Sequence, residues 1–206
     1  MATTHLMALR AGKGTAVAKA FQRIIGYIEN PEKTENGSLV TAYKCDPRTA
    51  AAEFALDKRN YFMRTGKKGT KADVIAYHLR QSFVPGEITS EEANRLGQEL
   101  AMRFTKGKHS FIVATHTDKH HLHNHIIFNA IDLECDKKFQ NFWGSSKALR
   151  KLSDLICLEN GYSTCGLRHC WFPAQIVFYL KTLVSGSRSA RTFPSSSSIY
   201  PATKRA

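Results

Sequence analysis

Ser110-Phe-Ile-Val-Ala-Thr115, His116-Thr-Asp-Lys-His-His-Leu-His-Asn-His125 and Ile126-Ile-Phe-Asn-Ala-Ile131 follow one another without a break. Apolar, partly β-branched runs of this length on either side of a short polar link read as two buried strands, Ser110 to Thr115 and His121 to Ile131. A link this short cannot hold a crossover helix, so the two strands pair antiparallel.

The elements around this pair alternate. Thr4 to Leu9 reads as a first strand. Val17, Phe21, Ile24 and Ile28 recur at helical spacing and give a helix one apolar face, closed by Pro31. Ser38 to Cys45 reads as a strand, and Pro47 to Arg64 as a helix with proline at its start. Gly66 to Gly69 is a Gly/Lys loop, Ala72 to Phe83 a strand, and Pro85-Gly86 a turn. Thr89-Ser-Glu-Glu92 is a capping box, and Ala93, Leu96, Leu100 and Phe104 form the apolar face of the helix it opens. Ser145 to Leu158 reads as a last helix, stopped by Asn160-Gly161. The expected class is α+β: a mainly antiparallel sheet of about five strands with helices packed on it.

The link between the central strands carries the chemistry. Five of the nine histidines, with one aspartate, fall within residues 116–125. Residues i and i+2 of a strand share a face, so His123 and His125 present two imidazoles side by side, with His116 available as a third. His120 or His121 could replace one of these. Asp118 is a metal ligand or a partner that fixes a histidine tautomer. Asn124 points to the opposite face, whereas Asn129 is in phase with His125 and is expected to hydrogen-bond nearby. Three neutral imidazoles suit Mn²⁺, Zn²⁺, Ni²⁺ or Cu²⁺ better than Mg²⁺.

Charge points to the substrate. The chain carries a formal +13 with a pI near 9.7, the balance of a protein that meets polyanions. From Thr164 to Ala206 there is no Asp or Glu but there are six Lys or Arg; 24 of the 30 basic residues therefore remain against all 17 acidic ones in residues 1–163. That composition change divides the chain into a domain, 1–163, and an atypical basic, Ser-rich tail, 164–206, expected to be poorly ordered. No apolar run is long enough to span a bilayer, so no membrane insertion is expected. Five scattered cysteines without a Cys-x-x-Cys pair fit a reducing cytoplasm. A metal site in a basic protein fits Lewis-acid polarisation of a phosphodiester. Hydrolysis would then use activated water, whereas strand transfer needs a protein nucleophile, for which Tyr27, at the flank of the first helix face, is the candidate.

Three stretches in order, Tyr27-Ile-Glu-Asn-Pro-Glu-Lys33-Thr34, Gln81-Ser82-Phe83-Val-Pro85-Gly86-Glu87 and His116-x-Asp118-x-x-x-x-His123-x-His125-x-x-x-Asn129, resemble the relaxase, or mobilisation nuclease, family. The resemblance covers about residues 1–163. Between its paired histidines this sequence has Asn124 where the wider histidine-pair endonuclease group has a hydrophobe.

The resemblance implies that Tyr27 attacks single-stranded or locally melted DNA at an origin of transfer, leaving a 5′-phosphotyrosyl link and a free 3′-hydroxyl. It implies a metal triad of His116, His123 and His125, with Asp118 as a supporting acid. Ser82 would lie near the DNA backbone, and His121 and Asn129 would be accessory. The ion implied is Mg²⁺ or Mn²⁺, with other transition metals as further candidates. Lys33, Lys67 and Lys68 are expected to contact phosphates. Accessory mobilisation proteins and a bacterial cytoplasmic setting go with that reading. The alternatives are a water-activating metal phosphodiesterase and an inactive DNA-binding remnant.

Overall fold

The computed structural model describes residues 2–11, 16–70 and 73–164. The tail expected over 164–206 lies, from residue 165 onward, outside the described residues. Elements run β1 (Thr3–Arg10), α1 (Val17–Ile28), β2 (Val40–Tyr43), α2 (Ala50–Thr65), β3 (Val74–Ser82), α3 (Ser90–Thr105), β4 (Phe111–His116), β5 (His123–Asn129) and α4 (Ser145–Glu159). The strands form one sheet in the order β1-β3-β5-β4-β2, with every neighbouring pair antiparallel. This is the expected α+β class, and the two strands read first are its centre.

Helices cover both faces. On one, Phe21, Ile25 and Ile28 of α1 and Phe54 of α2 pack with Ile112, Ala114 and Ile127 of the sheet. On the other, Leu96 and Leu100 of α3 and Leu149 and Ile156 of α4 pack with Leu79, Val113, Ile126 and Phe128. Because both faces are covered, β4 and β5 are buried along their whole length. This explains their nearly continuous apolar character.

Several boundaries differ from expectation. β2 is shorter than Ser38 to Cys45, because the chain before it is occupied by turns. Asn36 N–H donates to Pro31 O (2.9 Å) and Leu39 N–H to Thr34 O (3.2 Å), while Glu35, Asn36 and Gly37 take positive φ. Lys44, at φ 55°, ends the strand. α2 starts at Ala50 because Asp46 to Thr49 form a turn, with Thr49 N–H donating to Asp46 O (3.0 Å). At Thr89 the hydroxyl accepts from Glu92 N–H (3.3 Å), half of the expected capping box.

Gly97 lets α3 close on the sheet. A Cβ there would stand 2.6 Å from Asn124 Nδ2 and 2.9 Å from Val113 Cγ1. The approach is directly behind the histidine pair of β5. Among the described residues no helix is long and apolar enough to cross a membrane, and Cys45, Cys135 and Cys157 are free thiols.

Candidate metal and nucleophile site

Pairing of β4 with β5 sets His116 directly opposite His123, and strand alternation places His125 beside them. Ring centroids lie 5.3 Å apart for His116 and His123, 4.3 Å for His116 and His125, and 5.0 Å for His123 and His125. One ring nitrogen from each can be chosen so that all three lie within 4.8 Å of one another. All three residues are buried.

The remaining nitrogens are engaged. His116 Nε2 lies 2.8 Å from Ile28 O, and His123 Nδ1 lies 3.3 Å from His121 O. A carbonyl only accepts, so these nitrogens carry the protons. The lone pairs of His116 Nδ1 and His123 Nε2 are thereby left for a ligand. His125 Nδ1 instead meets a side chain, His78 Nε2, at 2.7 Å. Burial lowers the pKa of His116 and His123, and burial followed by cationic neighbours pushes His125 down to about 2. Burial likewise brings His78 to about 4. Neutral imidazole is the form that ligates a metal, so this buried, proton-poor trio fits a divalent transition ion.

Tyr27 lies in the last turn of α1. Its ring centroid is 6.4 Å from that of His116 and 6.2 Å from that of His125, and the residue is 58% exposed. The turn after α1 folds back over it. Thr34 Oγ1 donates to Asn30 O (3.0 Å), and Thr117 N–H donates to Lys33 O (3.0 Å). Lys33 Nζ consequently stands 5.2 Å from the Tyr27 ring centroid and 3.1 Å from Asp118 Oδ2. The hydrogen bond from Lys33 to Asp118 is the main cause that holds the lysine charged above its ordinary range. Partial desolvation works against ionised Asp118, but the hydrogen bond and charge of Lys33 prevail and keep it below the usual carboxylate range.

Of the two roles open to Asp118, the tautomer-fixing one is corrected: it makes no hydrogen bond to His116, His123 or His125, whose outer nitrogens face two backbone carbonyls and His78. Asp118 anchors Lys33 beside Tyr27. Ser82 pairs across the sheet with His123. With Thr3, Phe83, Val84, Pro85 and His121 it lines a surface pocket of about 430 Å³.

Asn129 is a second correction. It does share the histidine face, but at the far end of β5, where its Nδ2 donates to Asp57 Oδ2 (2.8 Å) and its Oδ1 accepts from Ile131 N–H (3.1 Å). Four residues of strand, roughly 13 Å, separate it from His125. Lys67 is also remote: its Nζ donates to Tyr61 Oη (3.2 Å), and Tyr61 packs with Ile131 and Cys135 at that same far end. Lys68 follows it in the same exposed loop.

One site residue, His78, and one buried acid in the adjoining turn, Glu29, escaped sequence reading. His78 could have been seen to alternate with Arg80 and Ser82 along β3, but only the β3–β5 register brings it to His125. Glu29, just after Tyr27 and Ile28, has a buried Oε1 without a hydrogen-bond partner, and burial raises its pKa to about 7.

Residues 27–162 match the family model described as "Relaxase: MobA/VirD2-like, nuclease domain". That match starts at Tyr27 and takes in the whole histidine cluster. The chain belongs to the MobA/VirD2-like relaxase family. Among its relatives is Protein rlx of Staphylococcus aureus, 37% identical over 145 residues that make up 70% of this chain and 42% of that protein. Another is the group II intron-interrupted relaxase LtrB of Lactococcus lactis subsp. cremoris (strain MG1363), 35% identical over 132 residues, 55% of this chain and 23% of LtrB. This relaxase chain thus spans less than half the length of those relatives. A solved chain from "Molecular Basis of Vancomycin Resistance Transfer in Staphylococcus aureus" superposes with a TM-score of 0.51 at 12% identity, covering 80% of this chain and 96% of that one, which is a likeness of fold.

Proposed function

We propose that this relaxase domain nicks one strand of DNA at the origin of transfer of a mobile element, through attack by Tyr27. The observation that carries the reading is the exposed Tyr27 ring within 6.2–6.4 Å of two histidines of the triad, under the cation of Lys33. In the step proposed, Tyr27 Oη bonds to phosphorus and the bond to the 3′-oxygen breaks. The 5′-phosphate stays on the tyrosine, and the phenolic proton is replaced on the departing strand as a 3′-hydroxyl. One phosphoester bond is exchanged for another, so rejoining is the same step reversed. His116, His123 and His125 would hold a divalent ion, which when bound supplies Lewis-acid polarisation of the scissile phosphate. The all-nitrogen ligand set favours Mn²⁺ or a later transition metal over Mg²⁺.

The chain's own groups do the rest. Lys33, held by Asp118, has its charge 5.2 Å from the Tyr27 ring centroid, where it would favour an ionising phenol and an approaching phosphate. Ser82, His121 and the pocket they share adjoin the triad and suit the nucleotides beside the cleavage point. The overall +13 favours a polyanion, and the polyanion proposed is single-stranded or locally melted DNA. Lys67 and Lys68, at the other end of the sheet, would meet only phosphates remote from the reaction. Accessory mobilisation proteins and action in the bacterial cytoplasm belong to the same proposal.

The test is incubation of the full chain and Mn²⁺ with single-stranded oligonucleotides spanning an origin of transfer. A protein–DNA adduct that survives denaturation, and is lost in Tyr27→Phe, is the expected result. Free 5′-phosphate ends without an adduct would indicate attack by water, and no cleavage at all would indicate a DNA-binding remnant.

A further inference from the structure

We propose that His78 is a positioning residue that fixes the tautomer and ring plane of the ligand His125. The proposal rests on the reading of the triad as a metal site, but not on the nicking reaction.

The argument begins with an asymmetry. His116 and His123 are oriented by backbone carbonyls, which can only accept. His125 is the one member of the trio whose outer nitrogen faces another ring that can either donate or accept. If His78 Nε2 carried the proton, it would donate to His125 Nδ1. His125 would then hold its own proton on Nε2, the nitrogen on the far side of its ring from His78. If His78 Nε2 is bare, His125 Nδ1–H donates to it and the Nε2 lone pair is free. Only the second arrangement makes a ligand.

The geometry favours a directed bond. The rings are 22° from coplanar and their centroids are 5.0 Å apart, so a 2.7 Å nitrogen–nitrogen contact joins their edges, where the in-plane lone pair lies. The backbone holds both partners. β3 and β5 are adjacent in the middle of the sheet; His78 pairs with Ile127, two residues from His125 on the same face. His78 is itself half-buried between Met7 of β1 and Ile127 of β5, which limits its swing.

A partner of this kind has a chemical consequence. A carboxylate in the same place would pull the Nδ1 proton and make His125 a stronger electron donor. A neutral imidazole pulls less, so it orients the ligand while leaving the ion more electrophilic. His78 thus supplies the orienting contact that was one of the two roles expected of Asp118.

The experiment needs no DNA. In the Zn²⁺-loaded full chain, nitrogen-15 chemical shifts and long-range couplings of the histidine rings should place the His78 proton on Nδ1, with Nε2 bare. A proton on His78 Nε2 in that state overturns the proposal without any variant. Titration calorimetry with Mn²⁺ and Zn²⁺ then separates orientation from bulk. His78→Phe keeps an aromatic ring but no acceptor, and should weaken binding by roughly 10- to 100-fold. His78→Gln restores an acceptor and should recover most of the affinity. Equal loss in both folded variants, or wild-type affinity in His78→Phe, would sink the idea. Because adduct formation with DNA is not read, absence of nicking would leave this result standing, and a normal metal titration in His78→Phe would leave the nicking proposal standing.

Discussion

The two faces of β5 at its first residues are built to opposite rules. On the α3 side Asn124 has every polar group used: its Nδ2 donates to Ala93 O (2.6 Å) and Gln81 Oε1 (3.2 Å), and its Oδ1 accepts from Thr115 Oγ1 (2.7 Å). The network continues through Asn94, which donates to Thr115 Oγ1 (3.1 Å) and Leu39 O (2.7 Å), and through Gln81, which donates to Ser153 Oγ (3.0 Å). On the α1 side His123 and His125 are equally buried, yet each keeps one nitrogen outside the protein's own hydrogen-bond pattern. A closed polar network specifies one arrangement, whereas open polarity in a dry site is held for a ligand. The Asn124 position, a hydrophobe in the wider group, shows that a polar residue can serve behind the histidines once it is fully satisfied.

The largest expected effects separate the open face from the closed one. Tyr27→Phe should reduce adduct formation by at least roughly a thousandfold while leaving the melting temperature unchanged, as for other lost nucleophiles. His125→Ala should weaken Mn²⁺ binding by more than about a hundredfold, beyond what loss of an orienting partner costs. A normal calorimetric titration in that variant would remove His125 from the ligand set.

Asn124→Ala attacks the closed face. It leaves Ala93 O and Thr115 Oγ1 short of partners and opens a gap, so unfolding in urea should show a loss of about 2–4 kcal/mol. If Mn²⁺ affinity of the folded variant falls as steeply as its stability, the two faces are not independent. Gly97→Ala crowds the same network from α3, and overpacking of this kind costs about 1–3 kcal/mol. A melting temperature equal to wild type would mean that α3 can shift away freely.

The smallest effect concerns Glu29. Its carboxyl titrates near 7 in the folded chain and at its ordinary 4.5 when unfolded. Between these values the folded form keeps a proton that the unfolded form has lost, so stability falls as pH rises through that window and is flat above it. Glu29→Gln should remove this slope. Since the residue is only half-buried, solvent screening limits the gain at pH 8 to about 1 kcal/mol. Parallel stability–pH curves for wild type and variant would refute the assignment.

Much of this was legible in the sequence, and the reasons are local. The run 110–131 disclosed a central antiparallel pair because its strands are buried on both faces and joined by a short link. Period-two spacing put His123 beside His125, while His116 as the third member and Tyr27 as the nucleophile were what the resemblance of the ordered motifs implied. What failed depended on register or on tertiary contact. His78 lies 47 positions before its partner, and only strand pairing joins them. Asp118 was open to a ligand or a tautomer-fixing role because proximity in sequence could not reveal that Lys33 would claim it. Asn129 has the right phase but lies too far along the strand, since periodicity reports the face and not the distance.

The bond from His116 Nε2–H to Ile28 O joins a histidine of the triad to the residue next to Tyr27. A DNA strand covalently held on Tyr27 would therefore pull on α1 and β4 together. Tension along that strand would pass into the middle of the sheet rather than into the exposed Pro31–Gly37 turn. On the proposed reaction, the held end would stay in register with the histidine triad, and the joint would behave as a clamp that bears load while it waits for the strand to return.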